Sequence, residues 1–373
     1  LYQEKIYIIF NPTADHGKAV KRIALVEAEM DRAEVSYEMV LTQSSGHAVE
    51  LARQGAIESV RARREGRAGY GVIAAAGGDG TVNEVLNGLM RAREDLKRPG
   101  GLQSSAYSGS DGKVRGQRSP EGNSWTSGPG VPPEHETLPE FGVLPVGRGN
   151  DFAYGAGIPK NLREACRMLV SSHGYTMDMG KITGGYYPEG RYFGNGIGIG
   201  FDTLVGLEAA RMSWIPGFLG YVYGALKMLV VYPRGPLVQI SPMGAEKHKK
   251  PEERIGLIET RSQQISVMNG RRMGGAFFMA PDSIINDGKL DLCMTHGQLS
   301  KKELLKALGQ YTRGSQVNNP HVLTGRASGY RISALEGGLA CHADGETICI
   351  NDSELVVECV PGALRIRSLP RET

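Results

Sequence analysis

The chain has 373 residues, of which 40% are hydrophobic and 22% charged. That is enough for two globular domains and too apolar for a disordered chain. The net charge of +3 excludes a dedicated nucleic-acid binder and leaves only a weak attraction to anionic surfaces.

The chain opens at Leu1 in a strand-like run with no signal-peptide pattern, so a targeting segment ahead of it is left open. Residues 5–10 (Lys-Ile-Tyr-Ile-Ile-Phe) read as a buried strand ending in Asn11-Pro12. A polar turn with Gly17 and Lys18 follows, then a helical stretch over residues 19–30. A second strand over residues 36–41 ends at Thr42, and Ser44-Ser45-Gly46-His47 leads into another helix. Residues 70–76 form a third apolar strand, followed by Gly77-Gly78-Asp79-Gly80-Thr81 and a helix over residues 82–93. A fourth strand, residues 141–146, runs into Gly147-Arg148-Gly149-Asn150-Asp151. Strands alternating with helices predict a parallel sheet with helices on its faces, and the loops at the strands' carboxyl ends form its binding edge. All four polar loops fall on that edge.

The periodicity stops in residues 96–139, which are rich in Gly, Ser, Pro and charge and read as a disordered surface insertion. From about residue 156 short β-rich runs dominate, at 192–200, 237–240, 264–268, 290–294, 330–334 and 354–359. They predict an antiparallel sandwich or barrel. Two helices interrupt it, at about 220–231 and 301–308. The stretch 214–232 contains Pro216, three glycines and Lys227, which argues against a membrane-spanning helix and for a packed or interfacial one. Residues 247–254 read as a solvated turn. The predicted organisation is an α/β domain over residues 1–155, a β-sandwich over 156–352 and a C-terminal segment, 353–373. Five cysteines (Cys166, Cys293, Cys341, Cys349, Cys359) form no C-x-x-C pair. The expectation is reduced, mostly buried thiols in a cytosolic protein.

The strongest chemical signal is Gly77-Gly78-Asp79-Gly80-Thr81-Val82-Asn83-Glu84, between a strand and a helix. Glycines let the backbone approach a ligand, and their N–H groups face oxygen anions at a helix N-terminus. A carboxylate at Asp79 beside phosphates makes sense if Mg²⁺ bridges them or if it handles a proton. The bland alternative is a glycine turn with Asp79 as a helix cap. Gly147 to Asp151 repeats the pattern at a neighbouring strand end, so a polyphosphate ligand is expected, with Arg148 neutralising charge. Asn11, Thr42 and Lys18 are weaker candidates, equally readable as strand-to-helix turns. In the second half, a hairpin turn accounts for Asn286-Asp287-Gly288, and a Mg²⁺ site with one carboxylate and loop carbonyls is the sharper reading. Asp344-Gly345-Glu346 is another turn, in which one carboxylate could accept the proton of an attacking hydroxyl.

Taken together, Asn11-Pro12, Gly77 to Asn83, Leu144-Pro145-Val146-Gly147 with Gly149-Asn150-Asp151-Phe152-Ala153, Asn195-Gly196-Ile197-Gly198, Asn286-Asp287-Gly288 and Asp344-Gly345-Glu346 resemble the diacylglycerol kinase-like lipid kinases, a superfamily that includes sphingosine and ceramide kinases. The resemblance spans nearly the whole chain outside the insertion. It implies a Rossmann-like α/β domain of the NAD kinase and diacylglycerol kinase type, a C-terminal β-sandwich, ATP bound in the cleft between them, and a last segment that returns to the first domain. It implies that Gly77, Gly78, Asp79, Gly80, Thr81 and Asn83 form the nucleotide phosphate loop, with Gly147, Arg148, Gly149, Asn150 and Asp151 beside it and Asn11 and Thr42 as further nucleotide contacts. Glu346 or Asp344 resembles the proton acceptor. Asp287 with the carbonyls of Ile284 and Lys289 resembles a Mg²⁺ site. Many members carry Thr at the position of Arg148; Asp151 after Asn150 is closer to the diacylglycerol kinase pattern than to the sphingosine kinase one.

The expected activity is ATP- and Mg²⁺-dependent phosphorylation of a lipid hydroxyl, most simply that of diacylglycerol, by a cytoplasmic enzyme in peripheral contact with a membrane. The rivals are a sphingoid-base kinase, a soluble NAD kinase, which also uses Gly-Gly-Asp-Gly-Thr before a helix, and a non-catalytic nucleotide- or lipid-binding module. The acceptor and the oligomeric state are left open by the sequence.

Overall fold

In the computed structural model, residues 5–98, 137–211, 223–224, 226–227, 230–231, 234–244 and 256–368 are described. The expected insertion and the 247–254 turn lie almost wholly outside them, as does most of the 214–232 stretch. The chain divides into two compact units, one of residues 1–176 with 363–373 and one of residues 177–362.

The first unit is built on parallel strands. β1 (Lys5–Phe10), β2 (Tyr37–Leu41), β3 (Tyr70–Gly77) and β4 (Glu140–Pro145) line up in the order β2-β1-β3-β4. β1 pairs in parallel with both β2 and β3, and β3 with β4. Ile366, near the end of β16 (Glu354–Arg367), pairs in parallel with Phe141 at the outer edge of β4. The central strands are apolar on both faces because helices cover both. Ile8, Ile9, Phe10, Ile73, Ala74 and Ala75 are all fully buried, as a parallel sheet requires. Burying each large aliphatic side chain contributes about 1.5–3 kcal/mol.

The covering helices are α1 (Ile23–Arg32), α2 (His47–Arg64), α3 (Asp79–Lys97), the single turn α4 (Asp151–Gly155) and α5 (Leu162–Ser171). α2 packs along α3, and α5 against α1 and β4. α5 was not expected from the sequence. Its start is marked by Asn161, whose side chain accepts the N–H groups of Arg163 and Glu164, the usual chemistry of a helix N-cap. The last residues are held by Glu140, which accepts from Arg365 at 3.0 Å and from Arg367 at 2.7 Å.

The second unit holds two antiparallel sheets around one core. One sheet runs β12-β11-β10-β7-β14-β15, with β7 (Gly196–Gly200), β10 (Gln264–Met268), β11 (Leu290–Thr295), β12 (Val322–Ala327), β14 (Leu339–Ala343) and β15 (Glu346–Asp352). The other pairs the start of β16 with β13 (Gly329–Glu336), then β8 (Leu237–Met243) and β9 (Ile258–Arg261). β5 (Gly174–Gly184) and β6 (Tyr187–Phe193) form an antiparallel pair. Alternate residues of both sheets, among them Ile197, Ile199, Val267, Leu292, Val238, Ile240, Tyr330 and Val357, meet in the core. β10 is buried along its whole length, because its other face carries α6 (Phe201–Arg211) and α7 (Lys301–Tyr311). Met268 and Cys293 pack there with Phe201, Leu304 and Tyr311. The expected single strand over residues 192–200 is two, β6 and β7, broken at Gly194-Asn195. Among the described residues no helix is long and apolar enough to cross a membrane.

Candidate functional site

In the first unit the polar loops at the carboxyl ends of β1, β3 and β4 are bonded to one another. Asn11 Nδ2 donates to Thr81 Oγ1 at 2.9 Å, tying the end of β1 to the first turn of α3. Asn11 Oδ1 accepts from the backbone and hydroxyl of Thr13. The carbonyl of Gly77 accepts from Val146 and Gly147, so the two glycine loops lie against each other. Asp79 Oδ1 accepts the N–H of Phe152 at 3.1 Å. This is the first turn of α4, where free N–H groups and the helix dipole favour a carboxylate. Asn150, in the left-handed region at φ 53°, donates to the carbonyl of Gly147. Thr42 is anchored by its own N–H on the carbonyl of Phe10 at 2.8 Å.

This packing explains most of the glycines. A Cβ at Gly77 would lie 2.3 Å from the Thr81 side chain, one at Gly147 would lie 2.2 Å from the Cα of Gly78, and one at Gly149 would lie 2.6 Å from Asp79 Oδ2. Gly80 differs. It is exposed, it lies in the first turn of α3, and a Cβ there would meet nothing within 4 Å. No protein neighbour requires glycine at that position. Arg148 is exposed on the adjoining loop, whereas Thr81 and Asp151 are buried and Asn83 is wholly so. Asn83 accepts from Asn87 with both its carbonyl and its side-chain oxygen.

Glu84 was part of the sequence motif but had no assigned role. Its Oε1 accepts from the N–H of Gly46 at 2.9 Å and Oε2 from that of Ala48 at 3.2 Å. The carboxylate thus caps the N-terminus of α2 from the neighbouring helix. A glutamate one turn after a glycine loop was the available signal, but its target lies 38 residues away in sequence and only the fold brings it near.

In the second unit the two acidic residues of the Asp344-Gly345-Glu346 turn differ sharply. The turn joins β14 to β15, with φ 47° at Asp344 and 87° at Gly345, the left-handed pair of a type I′ hairpin. The Asp344 carboxylate accepts from three consecutive N–H groups, Gly194 at 2.7 Å, Asn195 at 3.1 Å and Gly196 at 2.9 Å. That cradle sits at the break between β6 and β7. Glu346 is half-buried, and its carboxylate has no hydrogen-bond or ion-pair partner among the described residues.

Asn286-Asp287-Gly288 is not the hairpin that the sequence suggested. No strand precedes it, since β10 ends at Met268 and β11 begins at Leu290. Gly288 is left-handed at φ 73°, so the segment is a tight turn, set in a loop rather than between paired strands. Asp287 Oδ1 accepts the N–H of Lys289 at 3.0 Å, and Oδ2 lies 3.5 Å from Arg326, which also pairs with Asp291 at 2.9 Å. One guanidinium is therefore shared by two carboxylates, and it lies closer to Asp291 than to Asp287. Among the described residues no group of three or more His, Cys, Asp or Glu is placed to hold a metal; the expected site, one carboxylate with the carbonyls of Ile284 and Lys289, is of a different make. Asp178 was missed. Buried between Met177 and Met179, it accepts from Gly288 at 2.6 Å and from Gly362 at 2.7 Å. A lone aspartate in an apolar strand was its signal.

A parallel α/β unit with glycine loops at one sheet edge, followed by an antiparallel β unit, defines the class. The diacylglycerol kinase catalytic domain matches residues 5–182 and the YegS C-terminal NAD kinase beta sandwich-like domain matches residues 195–368. The chain belongs to the family that joins these two domains, a family of lipid kinases. It is similar to proteins named "Probable lipid kinase YegS" from Salmonella heidelberg (strain SL476) and Salmonella newport (strain SL254). Each is 26% identical over 306 residues, covering 82% of this chain and 80% of the relative. A diacylglycerol kinase from Bacillus anthracis str. Sterne shares the fold, with a TM-score of 0.59 at 18% identity over 99% of this chain and 98% of that one.

Proposed function

We propose that the chain transfers the γ-phosphate of ATP to a lipid hydroxyl, that of diacylglycerol in the first instance. The observation that carries this reading is the open face at Gly80. Two interlocked glycine loops lie at the N-terminus of α3; of their five glycines, Gly77, Gly147 and Gly149 are required by packing, a Cβ at Gly78 would make ordinary contact at 3.4 Å, and Gly80 alone leaves open space at an exposed helix start. Backbone N–H groups at such a position suit a phosphate, and Arg148 on the adjoining loop would add a cation. Thr42 and Asn11, at neighbouring strand ends, would contact the rest of the nucleotide.

Phosphoryl transfer asks the protein chiefly for positioning and for charge stabilisation. A proton acceptor for the lipid hydroxyl completes the set. Asp344 has three N–H donors on its carboxylate and serves to shape the 194–196 turn. Glu346 has no hydrogen-bond or ion-pair partner among the described residues, so it takes the proton in this reading. Mg²⁺ accompanying the nucleotide would neutralise phosphate charge. The names of the Salmonella and Bacillus anthracis relatives favour a lipid acceptor over NAD.

The test is transfer of labelled γ-phosphate from ATP, with Mg²⁺, to diacylglycerol, phosphatidylglycerol, ceramide and sphingosine in mixed micelles, with NAD as a soluble control. Label in diacylglycerol is the expected result. Label only in NAD, or none while ATP still binds, would overturn the reading.

A further inference from the structure

The second unit presents one helix face that neither its core nor its ion pairs use. α7 buries Leu304, Ala307 and Tyr311. The opposite stripe carries Lys302, Leu305, Lys306, Gly309 and, just past the helix end, Arg313, all exposed. Leu305 is 56% exposed, with Lys302 and Lys306 beside it on that stripe. The one acidic residue of the helix, Glu303, is engaged elsewhere: it accepts the N–H of Ser300 in a capping box and faces His321 at 3.3 Å. Lys302, Lys306 and Arg313 have no carboxylate partner among the described residues. Lys301 donates to the carbonyl of Val230 at 3.2 Å, which brings a second apolar strip to the same end of the helix. There Val230 is 76% and Val231 61% exposed, and Lys227 is already paired with Glu208.

Exposed aliphatic side chains set among unpaired cations have a defined complement. A water-facing stripe has no use for Leu305, Val230 and Val231, and a neutral apolar partner has no use for three unpaired cations. An anionic phospholipid surface takes both, the aliphatic groups at the acyl boundary and the cations among the headgroup phosphates. We propose that the exposed face of α7, with Val230 and Val231, docks this protein on anionic bilayers. The proposal rests on the lipid-kinase reading for its choice of occupant, because the acceptor of such an enzyme resides in a membrane.

Binding is measured apart from transfer. The full chain is sedimented, without ATP, with vesicles of phosphatidylcholine alone and of phosphatidylcholine with phosphatidylglycerol. The expected result is pelleting only with phosphatidylglycerol, reversed by salt. Each lysine or arginine contributes about fivefold to such binding, so the triple variant K302Q/K306Q/R313Q should bind about a hundredfold more weakly. Leu305→Ser should weaken binding without changing its salt dependence. Transfer to a short-chain diacylglycerol in detergent micelles should be the same in these variants as in the parent, and so should the melting temperature, since the altered side chains make no ion pair among the described residues. Equal pelleting of the triple variant, or pelleting that ignores phosphatidylglycerol, would overturn the proposal. So would a dimer of the chain that these substitutions dissociate, because the face would then be covered by a second copy. An absence of transfer in the parent protein, with vesicle binding as expected, would count against the kinase reading alone.

Discussion

The carboxylate of Asp79, at the start of α3, accepts the backbone N–H of Phe152, in the first turn of α4, at 3.1 Å. A residue expected to act on a nucleotide therefore also joins the two glycine loops. The two roles separate by substitution. Asp79→Ala removes the acceptor and should cost about 1–2 kcal/mol of stability, the usual effect of losing a helix cap. Asp79→Asn keeps an oxygen for Phe152 and removes the charge. It should melt close to the parent and yet transfer phosphate at least about tenfold more slowly. Parental turnover in Asp79→Asn would make Asp79 a tether and nothing more.

Gly80 and Gly147 make a second contrast. A Cβ at Gly147 would lie 2.2 Å from the Cα of Gly78, backbone against backbone, so Gly147→Ala should destabilise the first unit by about 1–3 kcal/mol. Gly80→Ala adds a methyl group to open space in a helical turn, so stability should be unchanged or up to about 1 kcal/mol higher. The prediction is a stable Gly80→Ala protein with a raised KM for ATP. Thermal melts together with ATP titrations decide it, and an unaltered KM would mean that the nucleotide does not approach Gly80.

The acidic turn offers a third test. Glu346→Gln removes no hydrogen bond among the described residues, so the melting temperature should hold while transfer falls by about a hundred- to ten-thousandfold. Asp344→Asn turns an amide group toward the N–H groups of Gly194, Asn195 and Gly196 and should cost about 1–3 kcal/mol. If Asp344→Asn is stable and inactive while Glu346→Gln is active, the assignment of the proton acceptor is reversed.

The thiols predict a pH dependence. Burial, with the nearby charge of Glu29, pushes Cys166 up to about 12, and burial alone pushes Cys293 to about 12. Burial and Asp352 raise Cys349 to about 11. At pH 8 such thiols hold about a thousandfold less thiolate than a free cysteine, and thiolate is the species that alkylates. Iodoacetamide should label these cysteines only on unfolding. The linkage has a definite sign: unfolded thiols ionise above about 8.5 and the folded ones much later, so stability is fully present below that pH and falls as pH rises. Melting curves between pH 7 and 10 that show no decline would contradict it.

Much of the first unit was legible in the sequence because its strands are runs of apolar residues and its loops are glycines beside carboxylates, both of which are local signals. β1 and β3 begin where the residues said they would, and the four strand-end loops lie at one sheet edge because parallel pairing admits no other arrangement. The strand at 192–200 was read as continuous because nothing local breaks it; the break comes from Asp344, about 150 residues on, whose carboxylate claims three N–H groups there. The same distance in sequence hid the difference between Asp344 and Glu346, two acids in one turn that composition cannot tell apart. The sequence by itself determined the class of the two units and the residues able to carry chemistry. Tertiary structure alone decided which of those residues are already committed, because a hydrogen bond between remote segments leaves no trace in the spacing of either one.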